Sequence, residues 1–256
     1  LHEYAPREKE HVRLWRWFIA PYQRWICRTC LPLVDSVTTV SPGLAAEYER
    51  EFGVVAEVVT NAAAYENRAP RPTGERIRLL HTGVARANRR LESMIDAMRD
   101  APAGMTLDFM LVSSEPGYIE ALQERARDLP AVRFRDPVPY TDLVDAVAEY
   151  DLSIVVFPPT TFNLEHSLPN KLFEAVQARV GVLVGPSPDM ADLVREHGIG
   201  EVLPGPDAGS LRAVLHRLDA AQIDRFKQAT DASAQMLSAE VQIEAWARAL
   251  ERISAR

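Results

Sequence analysis

The fold class is clearest from residues Leu152 to Phe157, with the sequence LSIVVF, which are apolar on both sides of an extended chain. Strands of a parallel sheet have this pattern because helices cover both faces of the sheet. Outward from this run, in both directions, short apolar strands alternate with helical patterns. The alternation predicts a doubly wound α/β domain.

The alternation is regular after residue 76. Predicted strands cover residues 77–82, 106–112, 132–134, 152–157, 180–184 and 201–203. Predicted helices cover residues 91–101, 117–129, 140–150, 171–179 and 190–197, with further helices toward the C-terminus. Before residue 61 the pattern predicts a helical stretch, a strand at 36–40, a helix at 42–52 and a strand at 54–60. This first segment shows the same alternation but is too short to form such a domain alone.

The chain is interpreted as four parts. Residues 1–67 are the tail of a first Rossmann-like domain whose opening strands are absent from this chain, and the Pro-rich residues 68–74 are a linker. Residues 75–237 form the complete α/β domain. Residues 238–256 form an amphipathic helix that crosses back toward the first domain, and Trp246 is expected to anchor that contact.

Composition indicates an ordinary globular protein and argues against one class of partner. The chain has 256 residues, 47% hydrophobic and 25% charged, with a net charge of −7 and a pI near 5.5. A nucleic-acid binder that depends on overall positive charge is therefore not expected. Cys27 and Cys30 lack a second ligand pair and are interpreted as reduced, structural residues.

A polar crossover follows the predicted strand at residues 152–157. Residues Asn163 to Glu174, with the sequence NLEHSLPNKLFE, lead into a predicted helix. Open α/β sheets bind ligands at the carboxyl ends of their strands, and a helix that begins beside Pro169 and Asn170 directs unpaired backbone N–H groups at an anion. Lys171 adds a positive charge, and Glu174 places a carboxylate one turn into the helix. The crossover is a candidate anion-binding site.

A second candidate anion site follows the strand at 77–82. Gly83 ends this strand, and the absence of a side chain there lets the backbone come close to a ligand. Arg86, Arg89 and Arg90 supply cations in the next loop, and a guanidinium group suits bidentate contact with phosphate. A solvated basic loop is the alternative interpretation.

Several short motifs occur in a specific order along the chain. They are Val37 to Ser41, then Asn61, then Gly83 followed by Arg89 to Glu92, and then Leu168 to Glu174. Their order and spacing resemble the family 4 retaining glycosyltransferases, which have the two-domain GT-B fold. The resemblance covers nearly the whole chain. It implies that residues 75–237 hold a nucleotide-diphosphate sugar in a cleft between two Rossmann-like domains, with the acceptor on the side of residues 1–67.

The resemblance also implies roles for individual residues. Glu174 accepts hydrogen bonds from the ribose hydroxyls, and two acceptor oxygens suit a vicinal diol. His166 stands where the family has a Glu that contacts the donor sugar, and His2 is the candidate catalytic residue, facing the donor and acceptor sugars. The donor-binding residues that the resemblance implies are Gly83, Arg89, Arg90, His166, Leu168, Pro169, Asn170, Lys171 and Glu174.

The function implied by the resemblance is that of a retaining hexosyltransferase. It moves a sugar from a nucleotide diphosphate to a glycan or lipid-linked acceptor, in cell-envelope polysaccharide synthesis, in the cytoplasm at the inner face of the plasma membrane. No metal or other cofactor is expected, since the arginines and the helix end would stabilise the leaving phosphate. Two alternatives stay open. One is a noncatalytic sugar-nucleotide-binding or scaffold protein, which His166, Val84 and the sequence Arg179-Val180-Gly181 favour; the other is a sugar-nucleotide epimerase.

Residues 11–32 carry an aromatic stripe. Between His11 and Pro32 there are four arginines, no acidic residue and three of the four tryptophans. One face of the predicted helix holds Leu14, Trp15, Phe18, Ile19, Tyr22, Trp25 and Ile26. Packing against the domains is the favoured interpretation, because Pro21 would kink the helix and buried Trp-rich stripes are common. The alternative is a peripheral membrane contact that presents a lipid-linked acceptor.

Overall fold

The computed structural model describes residues 1–254, without the side chains at positions 248, 249 and 252. A small parallel sheet and two long helices make up its first part. A π-helical turn at Trp15–Ile19 continues into helix α1 (Ala20–Cys30), which is followed by strand β1 (Thr38–Thr39), helix α2 (Pro42–Phe52) and strand β2 (Glu57–Val58). Strands β1 and β2 pair in parallel.

Helix α2 has the predicted bounds because both of its ends are capped. The Ser41 hydroxyl accepts the N–H of Leu44 at the start of the helix. Gly53 adopts a left-handed conformation, with φ of +67°, at the end.

Six parallel strands form the main sheet. They are β3 (Ile77–Ala85), β4 (Met105–Ser113), β5 (Val132–Arg135), β6 (Leu152–Val155), β7 (Gly181–Val184) and β8 (Gly200–Val202). Their spatial order is β5-β4-β3-β6-β7-β8, so the order reverses between β3 and β6. Strand β3 pairs with β4 along its whole length but with β6 only at Leu79 and Leu80. The carboxyl ends of β3 and β6 therefore separate and leave a crevice.

Helices cover both faces of this sheet. They are α3 (Glu92–Met98), α4 (Tyr118–Arg125), α5 (Leu143–Val147), α6 (Phe162–Glu165), α7 (Asn170–Gln177), α8 (Pro188–His197), α9 (Ala208–Arg217), α10 (Ala220–Ser233) and α11 (Ala239–Ser254). Neighbouring residues of β3 show the two faces. Leu79 packs in a core with α3, α4 and α9, and Leu80 packs in a core with α5, α7 and α8. The predicted doubly wound α/β fold is confirmed.

Two helical segments differ from the predictions. The predicted helix at 140–150 is a 3-10 turn at Tyr140–Asp142 that leads into the short helix α5. The crossover after β6 contains the unpredicted helix α6, which begins after Thr161, whose hydroxyl accepts the N–H of Leu164. Helix α6 sets the direction of the residues that follow it in the crossover.

A buried ion pair holds the linker at 68–74 against the main sheet. The Lys227 Nζ lies 2.6 Å from Asp151 Oδ1 and donates a second hydrogen bond to the Arg71 carbonyl at 3.1 Å. The other carboxylate oxygen of Asp151 accepts the N–H of Arg78 at 2.8 Å. Because both charged side chains are buried, these hydrogen bonds are needed to offset the loss of water. The pair therefore fixes the linker at the start of β3.

The C-terminal helix α11 contacts the segment at residues 60–65. The N–H of Ala239 donates to the Ala63 carbonyl at 2.8 Å, and Gln242 Oε1 accepts the N–H of Thr60 at 2.8 Å. Trp246 does not anchor this contact, contrary to the prediction, since 52% of its surface is exposed. Polar groups in the first turn of α11 make the contact instead.

The aromatic stripe at residues 11–32 is largely exposed within the described residues, so its packing against the domains stays a prediction. The inward side of α1 carries the small residues Ala20 and Cys27. Tyr22 and Trp25, on the opposite side, are 56% and 58% exposed. Within residues 1–254, no helix has both the length and the apolar character needed to cross a membrane.

Arg179 ends helix α7 in an uncommon way. It is one of two non-glycine residues with positive φ in the described chain, at +60°, and its side chain is buried. The guanidinium donates to the Gln177 carbonyl at 2.8 Å, to the Glu66 carbonyl at 2.7 Å and to Asp231 Oδ1 at 2.7 Å. One side chain therefore joins the end of α7, the segment before the linker and helix α10.

Replacing Arg179 with Gly tests whether these hydrogen bonds outweigh the backbone strain. Glycine relieves the strain, but the substitution leaves the Glu66 and Gln177 carbonyls without their donor, so we expect Arg179→Gly to lower the free energy of unfolding by about 2–4 kcal/mol. Urea denaturation measures this change in the free energy of unfolding. Arg90, the other such residue, has φ of +51° and an exposed side chain, so Arg90→Gly should change stability by less than about 1 kcal/mol. Equal effects would contradict this account.

Candidate functional site

A cavity of about 520 Å³ occupies the crevice between β3 and β6. Its walls are the carboxyl ends of the strands, the start of α7 and the segment at 137–143. Predicted site residues in its lining are Gly83, Arg89, Pro169, Asn170, Lys171 and Glu174. The structure therefore brings the two candidate anion sites together in the lining of one cavity.

Beyond Leu80, where the pairing of β3 with β6 stops, side chains bond the backbone carbonyls of the two strands. The Lys171 Nζ donates to the Thr82 carbonyl at 2.5 Å, and the His81 Nδ1 lies 2.8 Å from the Ile154 carbonyl. Gly83 adopts a φ of +122°, and a Cβ there would lie 2.9 Å from the Lys171 Nζ. Glycine thus leaves room for the ammonium group and for a ligand beside the backbone.

Two cations, Arg89 and Lys171, line this cavity. The Arg89 guanidinium lies 4.5 Å from the centroid of the Phe157 ring, and neither Arg89 nor Lys171 forms an ion pair within residues 1–254. Burial lowers the pKa of Arg89, with a further contribution from Arg86. Burial and then the charge of Arg89 lower the pKa of Lys171 to about 8. The carboxylate of Glu174 offsets the charge of Lys171 only in part, so the cavity lining keeps an excess of positive charge that favours an anionic ligand.

Glu174 and His81 also belong to the polar part of the lining. Burial raises the pKa of Glu174, and the charge of Lys171 only partly opposes this. The His81 ring is buried, and burial, followed by the nearby charge of Lys171, holds its pKa well below the ordinary value. Because a carbonyl only accepts, the Nδ1 of neutral His81 carries the proton that it donates to Ile154. His81 was missed from the sequence, where its one signal is a polar residue inside an apolar strand.

The loop that carries Arg89 is fixed by the connection between β4 and α4. The Ser114 hydroxyl donates to the Ala85 carbonyl at 2.8 Å, and Glu115 accepts the N–H of Ala87 at 3.1 Å. The Tyr118 hydroxyl accepts the N–H of Leu91 at 3.1 Å. Arg89 is therefore positioned before any ligand arrives, which reduces the entropy lost on binding.

His166 lies outside the cavity lining, although it was predicted to contact the donor sugar. Its Nδ1 is 3.2 Å from Asp189 Oδ2, and its ring packs on the Phe162 ring with centroids 4.6 Å apart. Asp189 also accepts the N–H of Gly43, at 3.1 Å, at the start of α2. Helix α6 turns His166 toward this contact, and a Cβ on Gly43 would overlap the ring. His166 thus joins the first part of the chain to α8.

The remaining predicted residues also lie outside the cavity lining. Leu168 is buried in the core with its side chain against α7, so only its backbone is placed near the crossover. The Arg90 side chain is exposed. His2 is exposed as well, with its Nδ1 3.4 Å from Asn61 Nδ2.

Comparison with solved structures identifies the fold. The sequence matches no protein-family model and no curated protein. The structure is similar to TarM of S. aureus (TM-score 0.68, 11% identity), covering 90% of this chain and 46% of TarM. It is similar to HepE of Anabaena in complex with UDP-glucose (TM-score 0.72, 14% identity), covering 100% of this chain and 71% of HepE. It is also similar to WaaG, a glycosyltransferase involved in lipopolysaccharide biosynthesis (TM-score 0.65, 14% identity), covering 92% and 67%.

These similarities show the fold, which is that of the GT-B glycosyltransferases. The chain spans less than half the length of TarM and about two thirds of WaaG.

Lys171→Met tests whether the buried ammonium destabilises the ligand-free protein. Because the pKa of Lys171 is about 8 in the folded state and near 10.5 in the unfolded state, the unfolded chain binds more protons between these values. Wild-type stability should therefore rise relative to the variant from pH 8 to 10.5. At pH 7 we expect the variant to be more stable by about 2 kcal/mol.

Urea denaturation at pH 7 and pH 10 measures this difference. It should shrink at the higher pH. A variant less stable than wild type at pH 7 would show that the hydrogen bond to Thr82 outweighs the cost of burying the charge.

Proposed function

We propose that this chain carries the donor site of a retaining glycosyltransferase that uses a nucleotide-diphosphate sugar. The proposal rests on one observation above all: Arg89 and Lys171, two partly buried cations that form no ion pair within the described residues, meet at the start of α7 in the crevice of a GT-B fold. A diphosphate supplies the missing negative charge. Apolar side chains on the 137–143 side, such as Val138 and Leu143, leave a surface for the base.

The same groups suit the chemistry of transfer. As the bond from the anomeric carbon to the diphosphate breaks, negative charge grows on the phosphate oxygens. Arg89, Lys171 and the first N–H groups of α7 stabilise that charge, and they are already fixed in place. This is how the protein would act without a metal. The acceptor would attack from the face that the nucleotide leaves, and no protein nucleophile is assigned.

Donor and acceptor identity are proposed from chemistry and from the resemblance. A UDP-sugar is the first donor to test, because HepE was solved with UDP-glucose. The acceptor is a glycan or a lipid-linked precursor of a cell-envelope polysaccharide, and the reaction takes place in the cytoplasm. His2 remains the proposed catalytic residue on the acceptor side, although the structure leaves it exposed beside Asn61.

A noncatalytic sugar-nucleotide-binding protein is the second candidate. It is favoured by the diversion of His166 to Asp189 and by Val84, which follows Gly83 where the family often carries an Arg. Isothermal calorimetry with UDP and UDP-sugars, followed by assays for UDP release with glycan acceptors, separates the two. Binding with no release across donors and acceptors would favour the noncatalytic protein, and no binding would overturn both. Interconversion of the bound UDP-sugars would identify an epimerase.

Arg89→Ala should weaken UDP binding by roughly 10- to 100-fold, since a charge-assisted hydrogen bond to phosphate is lost from a buried position. Calorimetry measures the Kd. Arg90→Ala is the matched control, because it removes the same charge from the next position, outside the cavity lining. We expect less than about a threefold change there. If both variants weakened UDP binding equally, the nucleotide would be attracted by the overall positive charge of the loop and not by a specific contact with Arg89.

Glu174→Gln should weaken UDP binding by about tenfold, because one acceptor oxygen for the ribose diol becomes a donor. The effect should vanish for 2′,3′-dideoxyuridine diphosphate, which lacks both ribose hydroxyls. Calorimetry with the two nucleotides on the two proteins completes a double-mutant cycle. A similar loss for both nucleotides would refute the ribose assignment while leaving the phosphate site intact.

A further inference from the structure

The Thr82 hydroxyl lies in the cavity lining without a hydrogen-bond partner. Thr82 is 4% exposed and lines the crevice between β3 and β6. Its carbonyl accepts the Lys171 ammonium, but its Oγ1 neither donates nor accepts a hydrogen bond within residues 1–254, and that oxygen is not sealed from solvent. Because a buried polar group normally has a partner, a hydroxyl left without one in a cavity lining indicates that a ligand supplies it.

The other buried threonines show what a structural hydroxyl does in this protein. Thr39 Oγ1 donates to the Leu1 carbonyl at 2.9 Å, and Thr230 Oγ1 donates to the Lys227 carbonyl at 2.7 Å. Both residues are at most 1% exposed. Among the buried threonines of the described chain, Thr82 alone has a hydroxyl that bonds no protein group. The packing of β3 therefore gives no reason for a hydroxyl at this position.

The pleat of β3 sets the side of the sheet on which this hydroxyl lies. Side chains two residues apart share a face, and Leu80 packs in the core with α5, α7 and α8. On the neighbouring strand, Met110 is paired with Thr82 and belongs to the same core. Val138 and Leu143 pack against that core and also line the cavity. The Thr82 hydroxyl is thus a polar group on the apolar side of the cavity.

We propose that Thr82 binds the base of the nucleotide through its hydroxyl. This inference rests on the proposed function, in which the same apolar side chains receive the base. A planar base covers apolar surface with its faces, whereas its edge carries carbonyl and N–H groups that need partners once they leave water. A hydroxyl both donates and accepts, so it suits either kind of group on the edge of uracil. Ligand cavities commonly combine an apolar lining with a few such polar groups, which fix the orientation of the ligand.

Calorimetry with Thr82→Val tests the proposal. Valine keeps the branched shape that suits a strand but has no hydroxyl. We expect the Kd for UDP to rise about tenfold, because the base edge loses its partner in a site that excludes water. The same loss should occur with 2′,3′-dideoxyuridine diphosphate, which keeps the base. Inorganic pyrophosphate carries the diphosphate charge without a base, so its Kd should change by less than about twofold.

Two further variants separate binding from a structural role. Thr82→Ser restores a hydroxyl and should bind UDP within about threefold of wild type. Thr230→Val is the matched control, because it makes the same substitution at a buried threonine outside the cavity lining. It should leave the Kd for UDP unchanged but lower the midpoint of urea denaturation, since its hydroxyl has a protein partner. Ligand-free Thr82→Val should be at least as stable as wild type.

Several results would overturn the proposal. An unchanged Kd for UDP would remove the hydroxyl from the site, and an equal loss with pyrophosphate would place it at the phosphates. A loss with UDP that is absent with the dideoxy nucleotide would assign it to the ribose. A ligand-free Thr82→Val protein less stable than wild type would show that the hydroxyl supports the fold. If wild type bound neither UDP nor pyrophosphate, the donor site itself would be refuted, so the two failures are distinguishable.

Discussion

Strand β3 has neighbours on both sides for only the first part of its length, and the site depends on this constraint. It pairs with β4 as far as Ala85, but its pairing with β6 stops at Leu80. From His81 onward, backbone groups on the β6 side need other partners, and side chains supply them. Lys171 bonds the Thr82 carbonyl and His81 bonds the Ile154 carbonyl. This unpaired edge of β3 forms one wall of the cavity, and its Thr82 carbonyl binds the charged side chain of Lys171.

The cations that suit this cavity for an anion also lower the stability of the ligand-free protein. Arg89 and Lys171 lie close together and partly buried, Glu174 compensates their charge only in part, and the pKa of each is lowered. The surrounding structure supports them by rigid packing: the Tyr118 and Glu115 contacts fix the arginine loop, and Arg179 fixes the far end of α7. A site of this kind favours anion binding, but it lowers the free energy of unfolding of the ligand-free protein.

Much of the fold follows from the sequence, because apolar runs such as Leu152 to Phe157 report burial on both faces directly. Helix α2 could be bounded because its capping residues act locally. The side of a helix that meets the core is harder to predict, since periodicity does not distinguish an aromatic side from one of small residues such as Ala20 and Cys27. The position of His166 outside the cavity lining could not be predicted, because a motif fixes spacing along the chain, whereas helix α6 ends at Glu165 and places the next residue beside Asp189.

The contact among Gly43, His166 and Asp189 constrains how related sequences can vary. The imidazole occupies the space that any side chain at position 43 would need, and the carboxylate of Asp189 serves both the ring and the backbone N–H at position 43. The three positions should therefore covary among homologues. A homologue with a larger residue at position 43 should carry a smaller one at position 166. Position 189 should then vary, because an acidic residue there would have lost one of its two hydrogen-bond partners.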